Sequence, residues 1–198
     1  MTADSAYTKL NAREGELDHA YGDSVHILAE PFLLTHLAFL CAETTQQPAI
    51  NHVVRDLYRY LIKAVLNCEF PRTVKSVRTR MGVDWTGEVL DTQQRAVSVN
   101  IMRAGTLPSQ VCYDFLNKTL DAKLVRQDHV VMSRVTDAEG RVTGSRFGDS
   151  KIGGDVDDAI VLFPDPMGAT GGSLSEAIAH YKSKVPGRAK RYVTVNLI

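Results

Sequence analysis

The chain has 198 residues, of which 44% are hydrophobic and 23% charged, an ordinary balance for a globular protein long enough to bury a substantial core. Lys and Arg together number 23, as do Asp and Glu, so no global field points to nucleic acid or to a membrane surface. No apolar run is long enough to span a bilayer, and Cys41, Cys68 and Cys112 form neither an even set nor a CxxC pair, which argues against a disulfide scaffold or a zinc site and fits a reducing cytoplasm.

Met1 to Asp23 is polar, lacks the apolar centre of a signal peptide, and is expected to form a loose arm or a short helix. Ser24-Val25-His26-Ile27-Leu28 predicts a short strand or extended entry. Pro31 to Ala42 and Pro48 to Asn67 carry helical apolar spacing, the second through Ile50, Val53, Val54, Leu57, Leu61, Ile62 and Val65. Its polar side, with Arg55, Asp56, Arg59 and Lys63, reads as a solvated face, and Tyr58 and Tyr60 as packing residues at a dimer interface. In Phe70 to Thr92, Val74, Val77 and Met81 predict a strand and Asp84-Trp85-Thr86-Gly87 a turn.

From Ala96 the pattern changes. Ala96 to Ile101 is an apolar strand running into Met102-Arg103-Ala104-Gly105, and a helix follows over Pro108 to Leu120 with proline in its first turn. Val130 to Met132 predicts a strand. Residues 133–157 are polar, with turns at Glu139-Gly140 and Thr143-Gly144, and read as a hairpin arm or lid. Asp158 to Phe163, Ser173 to Lys184 and Tyr192 to Ile198 complete the series as strand, helix and strand. Strands that alternate with helices and are nearly all apolar predict one α/β domain over residues 1–198, with a parallel twisted sheet flanked by helices. In such sheets ligands bind beyond the carboxyl ends of the strands, where Arg103-Ala104-Gly105 and Asp165 to Ser173 both fall.

Chemistry concentrates in Ile160-Val161-Leu162-Phe163-Pro164-Asp165-Pro166-Met167-Gly168-Ala169-Thr170-Gly171-Gly172-Ser173. A strand ends in a carboxylate, passes through a loop of small and hydroxyl residues and enters a helix. Free amides at a helix N-terminus, aided by its dipole, suit a phosphate group. Gly171 and Gly172 allow close backbone approach, Thr170 and Ser173 add hydroxyl donors, and Asp165 is placed for ribose hydroxyls or a metal-bound water. There is no Walker A ending and no Gly-x-Gly-x-x-Gly.

The wording Asp-Pro-Met-x-Ala-Thr-Gly-Gly-Ser resembles the phosphoribosyl pyrophosphate (PRPP) motif of type I phosphoribosyltransferases, and the uracil phosphoribosyltransferase branch in particular. Met102-Arg103-Ala104-Gly105 is similar to the family's pyrophosphate-binding loop, and Ser133-Arg134-Val135-Thr136-Asp137 stands where the family has a Tyr-Arg-Asp segment. Gly168, where the family has Leu, and Thr106-Leu107-Pro108 after the pyrophosphate loop depart from the pattern.

The resemblance implies transfer of 5-phosphoribosyl from PRPP to a nucleobase, uracil foremost, giving UMP and pyrophosphate, in a cytoplasmic homodimer. It implies that Asp165 and Arg103 are catalytic. It implies that PRPP is bound by Arg103, Ala104, Gly105, Arg134, Asp165, Pro166, Met167, Gly168, Ala169, Thr170, Gly171, Gly172 and Ser173. For Arg134 a salt-bridged arm residue is an equal reading, and for Arg78 and Arg80 a solvated face is preferred to a pyrophosphate contact. Mg2+ is expected to be held mainly by PRPP oxygens and water. The family reads its base with a segment beyond Val193-Thr194-Val195-Asn196-Leu197-Ile198, so a truncated chain is expected, and the alternatives are a PRPP- or nucleotide-binding sensor and a transferase for another base.

Elsewhere the residues read plainly. The six histidines show no metal-ligand spacing, no Gly-x-Ser-x-Gly elbow appears, and Asp155, Asp157 and Asp158 are taken to solvate the end of the arm.

Overall fold

The computed structural model describes residues 15–139 and 141–198, apart from the side chains of Arg134, Thr136 and Val142. Two helices come first, α1 (Pro31–Cys41) and α2 (Ala49–Glu69), then two strands, β1 (Arg72–Arg78) and β2 (Asp84–Leu90). β3 (Ala96–Met102), α3 (Thr106–Thr119), β4 (Val125–Thr136) and β5 (Val142–Lys151) follow, and β6 (Ile160–Pro164), α4 (Gly172–Lys184) and β7 (Arg191–Val195) end the series. The main sheet has the order β5-β4-β3-β6-β7. β3 is parallel to β4 and β6, β7 is parallel to β6, and β5 alone runs antiparallel. This is the largely parallel sheet flanked by helices that the alternation of elements predicts.

Period-two alternation sends successive side chains to opposite faces of this sheet. Ile160 and Leu162 pack with Tyr58, Ile62, Val111 and Leu116 under α2 and α3. Val161 and Phe163 join Val97, Val99, Ile101, Ala177 and Tyr181 under α4. Both faces are covered, which is why β6 reads as a continuous apolar run. α2 sinks Val53, Val54, Leu57, Tyr58, Ile62, Ala64 and Leu66, each large side chain worth about 1.5–3 kcal/mol. Tyr58 is therefore a core residue of its own chain, its phenol donating to the Val195 carbonyl at 3.0 Å, and no interface residue.

Several local expectations need correction. Of the two forms expected for Ser24 to Leu28, the strand is not found among the described residues, where the segment makes a single bridge between Leu28 and Glu16. Asp84 to Gly87 is strand, not turn: β1 and β2 pair in register from Arg72–Leu90 to Arg78–Asp84. The chain instead reverses at Thr79–Val83, where Gly82 takes a φ of 73° and the Thr79 hydroxyl donates to the Val83 carbonyl at 2.7 Å. β4 is much longer than the apolar triplet 130–132, since polar Arg126 and Asp128 lie inside it. Asp128 is wholly buried and accepts from Arg126 Nε at 3.1 Å, the Gly153 amide at 2.9 Å and the Tyr181 phenol. β4 and β5 make the expected hairpin arm, with its turn at Asp137 to Arg141 rather than at Thr143-Gly144.

Candidate active site

Two loops leave neighbouring parallel strands on the same side of the sheet. After β6, Asp165 accepts the Met167 amide on Oδ1 at 3.0 Å, closing a tight turn in which the side chain braces its own loop. Its backbone is anchored too: the Asp165 amide donates to Val195 at 3.1 Å, and Asn196 Nδ2 donates to the Asp165 carbonyl at 2.7 Å. The loop then needs left-handed backbone at Ala169 (φ 42°) and Gly171 (φ 75°), and Gly171 caps α4. That turn leaves the amides of Ala169, Thr170, Gly172, Ser173 and Leu174 donating to no backbone carbonyl among the described residues. Free amides in the first turn of a helix and in the loop before it suit a dianionic phosphate.

Gly168 departs from the family wording for a local reason. A Cβ there would stand 3.3 Å from Asn196 Cγ and from the Ile198 carbonyl oxygen, and the Gly168 amide donates to that oxygen at 2.7 Å. The residues after β7 press on the loop, and glycine admits them.

After β3 the chain turns through Arg103 and Ala104, both exposed, into buried Gly105 and the start of α3. The Met102–Arg103 peptide is cis. The Gly105 amide donates to Ile101 at 3.0 Å and the Thr106 amide to Arg103 at 3.1 Å, which ties the loop to its own strand. The Thr106 hydroxyl donates to Asn100 Oδ1 at 3.4 Å, and Asn100 Nδ2 meets His129 Nδ1 at 3.1 Å.

Arg103, Ala104 and Pro166 line one cavity of about 460 Å3, whereas Asp165 and residues 167–173 are not among its lining. Arg55 and Asn51 of α2 line it as well. Arg55 is the residue that sequence reasoning missed: its helix position reads as solvated, and only the flanking buried pair Val54 and Leu57 hints that it stands at the edge of a packed face.

Other expected residues lie elsewhere. Arg78 pairs with Asp84 at 3.2 Å across the exposed β1–β2 hairpin, and Arg80 sits in its turn. The Arg134 backbone pairs with Ser145 in the arm, while its side chain lies outside the described residues. Asp155 binds Arg95 at 2.8 Å, and its carboxyl is held below the usual range by that guanidinium first and by the Asp157 amide next. Asp157 accepts the Arg188 amide at 2.7 Å. Both acids sit ahead of β6, at the opposite end from the loops.

A family model described as uracil phosphoribosyltransferase matches residues 27–198. Among solved structures, the AQ2163 protein from Aquifex aeolicus is similar at a TM-score of 0.62 and 18% identity, over 85% of each chain. A hypoxanthine phosphoribosyltransferase from Staphylococcus aureus is similar at a TM-score of 0.40 and 17% identity, over 72% of this chain and 60% of the other. The first likeness is one of fold, and the second carries no argument. No curated protein matches the sequence.

Proposed function

This chain belongs to the uracil phosphoribosyltransferase family, and on that footing we propose that it transfers the 5-phosphoribosyl group of PRPP to uracil, releasing pyrophosphate and forming UMP. The reading rests on the family match and on one observation, that Pro166, next to Asp165, lines a cavity together with Arg103 and Ala104. In this proposal the Asp165–Ser173 loop supplies an anion cradle and a carboxylate, and the Arg103–Gly105 loop a guanidinium.

In this reading the amides of Ala169, Thr170, Gly172, Ser173 and Leu174, with the Thr170 and Ser173 hydroxyls, hold the 5′-phosphate. Pro166, Met167 and Gly168 shape the turn that carries them. A nitrogen of the base attacks C1 of the ribose as the bond from C1 to the pyrophosphate oxygen breaks, and the electron pair leaves with pyrophosphate. Positive charge builds on the sugar between those events. Asp165, with Oδ1 committed to the Met167 amide, turns its second oxygen and its charge toward the ribose. Arg103, with the Ala104 backbone, holds the leaving diphosphate as a charge-assisted pair, and Arg55 adds a second cation across the cavity.

A magnesium ion fits this donor set only as a guest of the substrate. No three His, Cys, Asp or Glu side chains converge at these loops among the described residues, and Asp165 offers one carboxylate. Its second oxygen would hold the ion through water, and the ion when bound would neutralise diphosphate charge.

The β4–β5 arm is proposed to exclude water, and Arg134 to reach the diphosphate from it. A homodimer and a cytoplasmic setting belong to the same proposal. Exposed Val74, Val77, Met81 and Val83 on the β1–β2 hairpin support the former. No described helix is long and apolar enough to cross a membrane.

The test is incubation of the full chain with PRPP, Mg2+ and each of uracil, cytosine and hypoxanthine, with pyrophosphate and nucleotide measured separately. Uracil-dependent release of both in equal amounts is expected. Turnover with another base alone overturns the uracil assignment, and PRPP binding without release for any base replaces the transferase by a sensor.

A further inference from the structure

Away from the phosphate loops, three side chains from distant parts of the sequence bring a carboxylate, an imidazole and a thiol together. Glu16 Oε1 lies 3.0 Å from His26 Nδ1 and 4.0 Å from Cys68 Sγ, and all three ligand atoms fall within 4.8 Å of one another. We propose that Glu16, His26 and Cys68 bind one divalent transition metal of the zinc class.

The chemistry of the donors selects the metal. One oxygen, one nitrogen and one sulfur are a borderline-soft set, poor for magnesium or calcium and suited to zinc. Tetrahedral bonds of about 2.3 Å to sulfur and about 2.1 Å to oxygen would place those two atoms about 3.6 Å apart. A metal therefore needs Cys68 and Glu16 to close by a few tenths of an ångström from 4.0 Å, which a side-chain rotation supplies. Two electronegative atoms 3.0 Å apart, His26 Nδ1 and Glu16 Oε1, must share a cation, either a proton or a metal.

The surroundings are those of a ligating histidine. His26 Nε2 lies 3.3 Å from Glu69 Oε1, so the far ring nitrogen can donate to a carboxylate, which fixes the tautomer and leaves Nδ1 for the metal. Glu69 is itself only 7% exposed at its side chain and is paired with Arg191. Charges then balance: the ion against the Glu16 carboxylate and the Cys68 thiolate, Glu69 against Arg191. The thiol proton and any proton on Nδ1 pass to solvent when the metal binds. A cavity of about 580 Å3 lined by Ser24, His26, Cys68 and Glu69 adjoins the cluster and gives a fourth ligand, water, room to enter. The ion would fasten the segment carrying Glu16 and His26 to the last turn of α2.

The test uses the full chain freed of metal with a chelator and titrated with Co2+. One equivalent should bind with a thiolate-to-cobalt charge-transfer band, displaced by Zn2+, and Cys68→Ser and His26→Gln should each abolish the band. Glu69→Gln should keep the band with affinity lowered about 10–100-fold. In unmodified protein, Zn2+ should slow alkylation of Cys68 while leaving exposed Cys41 unchanged. Absence of the band, its survival in Cys68→Ser, or equal alkylation of Cys68 with and without Zn2+ overturns the proposal and leaves a hydrogen-bonded cluster.

Discussion

Gly105 and Pro164, at the ends of adjacent strands, approach so closely that a Cβ on Gly105 would stand 3.0 Å from the Pro164 carbonyl oxygen and 2.9 Å from that of Ile101. Both obstacles are backbone, so neither can swing aside. The contact sets the separation of the two loops, one carrying Arg103 and the other Asp165. Gly105→Ala is expected to cost about 1–3 kcal/mol by overpacking. It should also raise KM for PRPP more than it lowers kcat, because the loops are pushed apart. Urea unfolding and steady-state kinetics measure the two effects, and a variant with wild-type KM contradicts the proposed spacing role.

Asp165→Asn keeps the size of the side chain and an oxygen for the Met167 amide, and it removes only the charge. Turnover is expected to fall by about 100-fold or more, on the scale seen when one electrostatic stabiliser of a transition state is lost. The thermal midpoint should stay close to wild type. Pyrophosphate release and circular dichroism read the two, and unchanged turnover removes Asp165 from the chemistry.

Arg103 and Arg55 face one cavity from different elements. Arg103→Ala should weaken inhibition by pyrophosphate about tenfold to hundredfold, equivalent to about 1.5–3 kcal/mol for a hydrogen bond to a charged group. Arg55→Ala should weaken it by less than about tenfold, since an exposed cation acting through solvent is worth little. Product-inhibition constants settle the order, and an Arg55 effect exceeding that of Arg103 reverses the assignment.

Tyr181→Phe leaves the buried Asp128 carboxylate with Arg126 and the Gly153 amide but one donor short. A loss of about 1–3 kcal/mol in urea unfolding is expected. The Tyr181 phenol is held above its ordinary value of 10.0, by burial first and then by Asp128. Its contribution is fully present below pH 10.0, where folded and unfolded phenols are both neutral, and is lost as pH rises from there toward the folded value. Tyr181→Phe should flatten that alkaline decline in part, because Tyr58, Tyr192 and Cys112, all held above their ordinary values chiefly by burial, contribute to it as well.

The order of strand, loop and helix around Asp165 to Ser173 was legible because every piece of it is local: strand, acid, hydroxyls, glycines and helix follow one another in the chain. Arg103 was legible for the same reason. What escaped reading is what only packing assembles. Arg55 looks like any cation on a solvated helix face until α2 lies against α3. Glu16, His26 and Cys68 have no spacing that a motif would show, because the chain passes through α1 and most of α2 before bringing them together. β4 was cut short in the reading because Asp128 interrupts its apolar pattern, and that acid is tolerated in the strand only with Arg126 and Tyr181 around it. Gly168 read as a weakened loop, whereas it makes room for Asn196 and Ile198.

β4 is held by β3 from Val125 to Val131 and by β5 from His129 to Thr136, with an irregularity between Val130 and Met132. Mechanically it is a cantilever: one continuous beam, clamped in the sheet at its root and bearing the hairpin at its free end. The irregularity lies beside Val131, which pairs with Met102 of β3, one residue from Arg103. The hairpin and the Arg103 loop therefore hang on two strands that pair side by side up to Met102.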